Sequence, residues 1–173
     1  MGELKDHALW IIPEGETYRE LKRLIESLSR KYSTPPFEPH ITVLGRVLGS
    51  DSELFSKSSQ VGSLIRPFHV ALKTVDYLDE YFRCLFIRAG KSREIIDLHT
   101  TAKRMFTIQD TKSYMPHVSL IYGSLPADVK KKIISDIGND FPDAVEVRSI
   151  HLISASVDTD PRDWYSVREF PLG

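Results

Sequence analysis

The chain has 173 residues, a formal net charge of −1, 41% hydrophobic residues and 27% charged residues. That length can bury a sizeable core in one domain or in two small lobes sharing a cleft, and the near-neutral balance gives no global basic field of the kind that marks a polynucleotide partner. Cys84 is the only cysteine, which excludes an intramolecular disulfide and a cysteine metal cage and points to a reducing, cytoplasmic setting.

Residues 1–6 are too polar for a secretory leader, and no apolar run approaches membrane-spanning length. Gly2 suggests myristoylation, but Asp6 stands where that pattern needs a hydroxyl residue. Residues 8–12 form an apolar run closed by Pro13, as a buried strand does. Tyr18, Leu21, Leu24, Ile25 and Leu28 then recur at helical spacing, predicting a helix over 17–31 that Pro35 and Pro36 stop. Residues 51–63 are a weaker helix candidate, since Leu54, Phe55 and Val61 are only loosely periodic. Strands are expected over 68–77 and 81–88, joined as a hairpin through Asp79 and Glu80. A helix follows over 92–106, a strand over 117–122, and a helix that Pro126 opens and that runs through Ile137. Strands over 145–154 and 164–170, with turn residues between them, complete the order. Short strands with interspersed helices place the chain in the α+β class.

Two segments repeat each other. Pro39-His40-Ile41-Thr42-Val43-Leu44-Gly45 is echoed 77 residues later by Pro116-His117-Val118-Ser119-Leu120-Ile121-Tyr122-Gly123. Side chains at i and i+2 of a strand share a face. Each copy therefore presents one imidazole beside one hydroxyl, with Ile41 and Val43, or Val118 and Leu120, turned to the core. A helix precedes each copy, which hints at two halves related by a pseudo-twofold. His7, His69 and His151 have no hydroxyl two residues on, and His99 lies in the predicted 92–106 helix, where i and i+2 do not share a face. These four are read as structural or solvated.

The motif histidines are isolated singles without an acid in either motif, and a hydroxyl is a poor zinc ligand, so the pattern speaks against a metal centre. Ser119 lacks the flanking glycines of a nucleophile elbow. Two facing imidazoles suit paired acid–base work instead, one taking a proton from water and the other delivering a proton to a leaving oxygen. Thr42 and Ser119 would donate hydrogen bonds to phosphoryl oxygens as charge builds on them. That is equipment for cleaving a phosphoester without a cofactor.

His-x-Thr paired with His-x-Ser resembles the signature of the two-histidine (2H) phosphoesterase superfamily. Trp10-Ile11-Ile12-Pro13, Phe37-Glu38-Pro39-His40-Ile41-Thr42-Val43, Tyr81-Phe82-Arg83-Cys84-Leu85-Phe86 and Tyr114-Met115-Pro116-His117-Val118-Ser119-Leu120-Ile121-Tyr122 further resemble the plant-type cyclic nucleotide phosphodiesterases of transfer-RNA splicing. The resemblance implies a single bilobal domain over 1–173, with two antiparallel sheets related by a pseudo-twofold, helices outside and a central cleft. It implies hydrolysis of ADP-ribose 1″,2″-cyclic phosphate to ADP-ribose 1″-phosphate and opening of nucleoside 2′,3′-cyclic phosphates to 2′-phosphates. It makes His40 and His117 catalytic and Thr42, Ser119, Tyr122, Trp10 and Phe82 substrate-binding, with no metal and no other cofactor. Trp10 and Phe82 equally suit a packed core. Tyr122 lies three residues from Ser119, so a twist or bulge beside Gly123 is needed to bring it to the cleft. The pseudo-symmetry leaves acid and base interchangeable on paper, with His117 the preferred base. A monomer acting on a small cyclic-phosphate nucleotide is expected, with no membrane and no long nucleic acid. An RNA-end-processing member of the superfamily and a non-catalytic nucleotide-binding module are the alternatives.

Overall fold

The computed structural model describes residues 6–173, so the stretch considered for a leader or a lipid lies outside it except for Asp6. Among the described residues, eight strands are interspersed with four α-helices. They are β1 (His7–Ile11), α1 (Gly15–Tyr32), β2 (Ile41–Val47), α2 (Asp51–Ser63), β3 (Phe68–Asp76), β4 (Leu85–Ala89), α3 (Arg93–Met105), β5 (His117–Ile121), α4 (Ala127–Ile137), β6 (Ala144–Val147), β7 (Ser149–Ser154) and β8 (Tyr165–Pro171). The strands hydrogen-bond in the order β6-β3-β4-β5-β2-β1-β7-β8, every pair antiparallel. The α+β expectation holds, and so does the two-halved plan. Four strands, β6-β3-β4-β5, mirror four others, β2-β1-β7-β8, and the motif strands β2 and β5 meet at the centre through the pair Ile41↔Val118.

Two expected strands are corrected. Residues 145–154 form two strands, because the chain changes partner at Arg148: β6 pairs with β3, and β7 pairs with β1 and β8. One residue separates strands from opposite halves, so the sheet must curl until β3 and β1 flank the same segment. In residues 81–88 only the end is strand. Tyr81–Arg83 is a turn of 3₁₀ helix, and pairing begins at Leu85.

The helices cross the halves. α1 precedes β2 in sequence but packs on β5, and α3 precedes β5 but packs on β2. Each motif strand is thus backed by a helix from the other half, which reinforces a junction made by few strand-to-strand bonds. α1 buries Leu21, Ile25 and Leu28 and ends at Ser33, whose left-handed backbone (φ 53°) turns the chain into the two prolines. Ile41, Val43, Val118 and Leu120 enter the main hydrophobic core with these helices, so strand alternation sends His40, Thr42, His117 and Ser119 to the opposite face.

Candidate active site

On that opposite face lies a cavity of about 330 Å³, walled by His40, Thr42, His117, Ser119, Tyr122, Trp10 and Phe82. This volume is in the range of small-molecule sites. All seven residues singled out in the sequence line one cavity. Continuing the antiparallel register outward from Ile41↔Val118 sets His40 against Ser119 and Thr42 against His117. The imidazole of each half therefore lies across from the hydroxyl of the other.

Both histidines are oriented in the same way. His40 Nδ1 lies 2.7 Å from the Glu38 carbonyl, and His117 Nδ1 lies 2.8 Å from the Met115 carbonyl. A carbonyl only accepts, so Nδ1 carries the hydrogen and donates it. The lone pair of each neutral ring then resides on Nε2, the nitrogen left to face the cavity. The segment carrying His40 is tied to α1, where Tyr18 and Lys22, one turn apart, both bond the Glu38 carboxylate. His40 lies flat against Trp10, with ring centroids 3.5 Å apart and planes 5° from parallel, and its Nε2 is 3.4 Å from the Tyr122 hydroxyl. His117 meets the edge of Phe86 at 5.2 Å.

Burial favours the neutral rings. His40 is 5% exposed, and desolvation brings its pKa down to about 4, with the nearby His117 adding to the effect. His117 is half-buried, and desolvation lowers its pKa as well, assisted by the Arg83 and Arg88 guanidiniums. Burial raises the Tyr122 hydroxyl, which stays protonated and able to donate.

Tyr122 reaches the cleft because β5 stops at Ile121 and the backbone turns at Gly123, whose φ of +152° suits glycine. Its ring stacks on Phe37 at 3.8 Å, so the turn is packed as well as permitted. Trp10 and Phe82 divide between the core and cleft readings. Trp10 is 4% exposed and spends one ring face on His40, while half-buried Phe82 meets Tyr122 edge-on at 5.1 Å and Trp164 at 6.1 Å. Ser119 Oγ donates to the Phe82 carbonyl at 3.1 Å, tying the Tyr81–Arg83 turn to the motif strand. That turn is also held from behind by Lys130, 2% exposed, which donates to the Leu78 carbonyl at 3.1 Å and to Asp79 Oδ1 at 2.6 Å. Thr42 is positioned through its backbone: Tyr114 Oη donates to the Thr42 carbonyl at 2.9 Å, and His99 Nδ1 donates to the Val43 carbonyl at 2.8 Å. His99 and Tyr114 stack at 3.9 Å, which gives His99 the structural role read for it.

Trp164, Arg46, Arg83 and the segment 155–157 also line the cavity. The sequence places Trp164 only at the start of a strand and shows nothing diagnostic in residues 45–67. Trp164 reaches the site because its indole Nε1–H is held by the Ser156 carbonyl at 3.0 Å and Thr159 Oγ1 at 2.9 Å across the preceding turn. Among the described residues no three histidine, cysteine, aspartate or glutamate side chains converge as a metal site.

Residues 6–161 match the profile of the cyclic phosphodiesterase-like protein family. The chain belongs to this family. Membership places it among cyclic phosphodiesterase enzymes of the 2H phosphoesterase superfamily. A cyclic phosphodiesterase of Arabidopsis thaliana is 26% identical over 133 residues, which cover 76% of this chain and 74% of that protein. The fold matches Escherichia coli LigT in its apo form with a TM-score of 0.66 at 16% identity, over 99% of both chains. It matches TT0787 of Thermus thermophilus with a TM-score of 0.69 at 14% identity, over 96% of this chain and 97% of that one. LigT has also been crystallised with 3′-AMP and with phosphate.

Proposed function

We propose that this enzyme hydrolyses ADP-ribose 1″,2″-cyclic phosphate to ADP-ribose 1″-phosphate, and nucleoside 2′,3′-cyclic phosphates to nucleoside 2′-phosphates, with His40 and His117 as the acid–base pair and no metal. The observation that carries this reading is the matched pair of imidazoles, each with Nδ1–H fixed on a backbone carbonyl and Nε2 left to one shared cavity. Family membership and the Arabidopsis relative support the cyclic phosphodiester as substrate class.

Water attacks phosphorus as the ester bond to the leaving ribose oxygen breaks. One imidazole takes the proton from water, and the other gives a proton to the departing oxygen. Exposure favours His117 as the base, because it is the half-buried member of the pair and water reaches it first. His40 then serves as the acid. Burial keeps it neutral in the free enzyme, and the anionic phosphodiester is the group that restores its affinity for a proton. Thr42 and Ser119 donate to the non-bridging oxygens, Ser119 turning from the Phe82 carbonyl to do so. Phe82, Tyr122 and Trp164 offer aromatic faces and edges to the sugar or base. The reading carries with it a cytoplasmic enzyme that clears cyclic phosphates released by RNA processing.

The test is product analysis. Purified protein is expected to convert adenosine 2′,3′-cyclic phosphate to the 2′-phosphate and ADP-ribose 1″,2″-cyclic phosphate to the 1″-phosphate, both resolved by ³¹P NMR. A 3′-phosphate product, or hydrolysis of neither compound, rejects the proposal.

A further inference from the structure

The cavity continues past the histidines to a second charged feature. In the β1–β2 ladder the register passes from His7↔Val47 to Leu9↔Leu44, so Gly45 and Arg46 together oppose Ala8. Two residues against one is a β-bulge, a device that re-aims a side chain and is frequent beside active sites. The left-handed backbone here falls on Arg46, with φ 50°, and not on the adjacent Gly45. A non-glycine residue in that region is strained and persists where its surroundings impose it. The result is an arginine set opposite Ala8, on the face that carries Trp10 and Thr42, and it lines the cavity.

Arg46 has capacity to spare. Its side chain is 79% exposed, and its Nε approaches Asp6 Oδ1 at 3.7 Å, long for a charge-assisted hydrogen bond. Arg83, at the histidine end, is by contrast already engaged, with Nη2 2.5 Å from Glu80 Oε2. Arg46 lies four residues beyond Thr42 in β2, at most about 13 Å of strand and less across the bulge. A group one ribose away from a phosphate held at Thr42 therefore falls within reach of the Arg46 guanidinium.

We propose that Arg46 forms a second anion subsite, for a phosphate carried on C5 of the same ribose whose cyclic phosphate lies between His40 and His117. This rests on the reading of the histidine site given above. The shared ligand chemistry is a 5-phosphorylated ribose cyclic phosphate. ADP-ribose 1″,2″-cyclic phosphate carries that group as a diphosphate, a 5′-phosphorylated nucleoside 2′,3′-cyclic phosphate carries it as a monoester, and a simple nucleoside 2′,3′-cyclic phosphate lacks it. Asp6 is the internal competitor for the guanidinium and is displaced when the phosphate binds.

The experiment compares KM for these three substrates in wild type, Arg46→Gln and Asp6→Asn. Arg46→Gln is expected to raise KM for both C5-phosphorylated substrates roughly five- to tenfold relative to adenosine 2′,3′-cyclic phosphate, with Asp6→Asn shifting the ratio the other way. A response confined to the ADP-ribose compound assigns the subsite to the diphosphate, and a response to both assigns it to any C5 phosphate. An unchanged ratio in Arg46→Gln overturns the proposal. A binding arm keeps this distinct from the catalytic reading. Adenosine 2′,5′-bisphosphate should bind more tightly than adenosine 2′-phosphate, and Arg46→Gln should remove the difference. If wild type turns over none of the substrates, the catalytic reading fails, and the bisphosphate titration alone decides the subsite.

Discussion

His40, the acid of the proposed mechanism, sits where burial costs stability as pH falls. Stacked on Trp10, held by the Glu38 carbonyl and 5% exposed, its ring has little water to stabilise a positive charge. Its pKa falls to about 4 in the folded protein, against about 6.5 in an unfolded chain. The folded state therefore binds fewer protons than the unfolded state between these values. The stability this group supports is fully present above pH 6.5 and is lost as pH falls toward 4, by up to about 3 kcal/mol. His117 shifts in the same direction. Urea midpoints measured from pH 7 to pH 4.5 should drop more steeply in wild type than in His40→Asn, which keeps a polar group but cannot take up the proton. Equal slopes would show that the ring is not held neutral. Four site residues, His40, Thr42, His117 and Ser119, were legible in the sequence because a strand fixes i and i+2 on one face. Arg46 and Trp164 were not. Alternation from Thr42 gives the face of Arg46, but it belongs to no motif and its strained place opposite Ala8 is set by the bulge, while Trp164 depends on hydrogen bonds to a turn five to eight residues upstream.

Among the elements, α2 is instructive because its periodicity was poor yet its bounds match the expected 51–63. Its start is set by a capping box. The Ser50 hydroxyl accepts from the Glu53 amide, and the Glu53 carboxylate accepts from the Ser50 amide. Its far end is set by close packing. A Cβ placed on Gly62 would lie 2.6 Å from the Pro171 carbonyl oxygen, so only glycine lets the helix approach the end of β8. Gly→Ala in a helix interior ordinarily stabilises by up to about 1 kcal/mol. Here Gly62→Ala should destabilise by about 1–3 kcal/mol, since backbone must move to admit the methyl group. Thermal unfolding of the single variant checks this, and an unchanged or raised Tm would contradict the packing account. The two strand corrections have equally local causes. Residues 81–88 alternate well enough for strand, but the turn at Tyr81–Arg83 is bonded to Ser119 and anchored at Leu78 and Asp79 by Lys130. Residues 145–154 carry apolar residues throughout, but the core positions shift from odd numbers (Val145, Val147) to even ones (Ile150, Leu152) across Arg148, and that change of face marks where the partner changes.

Over the whole molecule, the duplication of four strands about a β2–β5 junction explains why two histidines 77 residues apart share a cavity. The junction has one registered pair, and the crossed packing of α1 on β5 and α3 on β2 supports it from behind. Each half alone offers one imidazole and one hydroxyl, and acid–base cleavage needs both imidazoles at once. A pair acting as a unit has a characteristic signature, because removing either member costs nearly as much as removing both. The most direct test is the rate of adenosine 2′,3′-cyclic phosphate hydrolysis in excess EDTA for wild type, His40→Asn, His117→Asn and the double variant, with folding checked by circular dichroism. The account predicts that wild type retains its activity, that each single variant loses on the order of 10²–10⁴-fold, and that the double variant falls little further. A single variant close to wild type, losses that multiply in the double variant, or activity abolished by EDTA would contradict it.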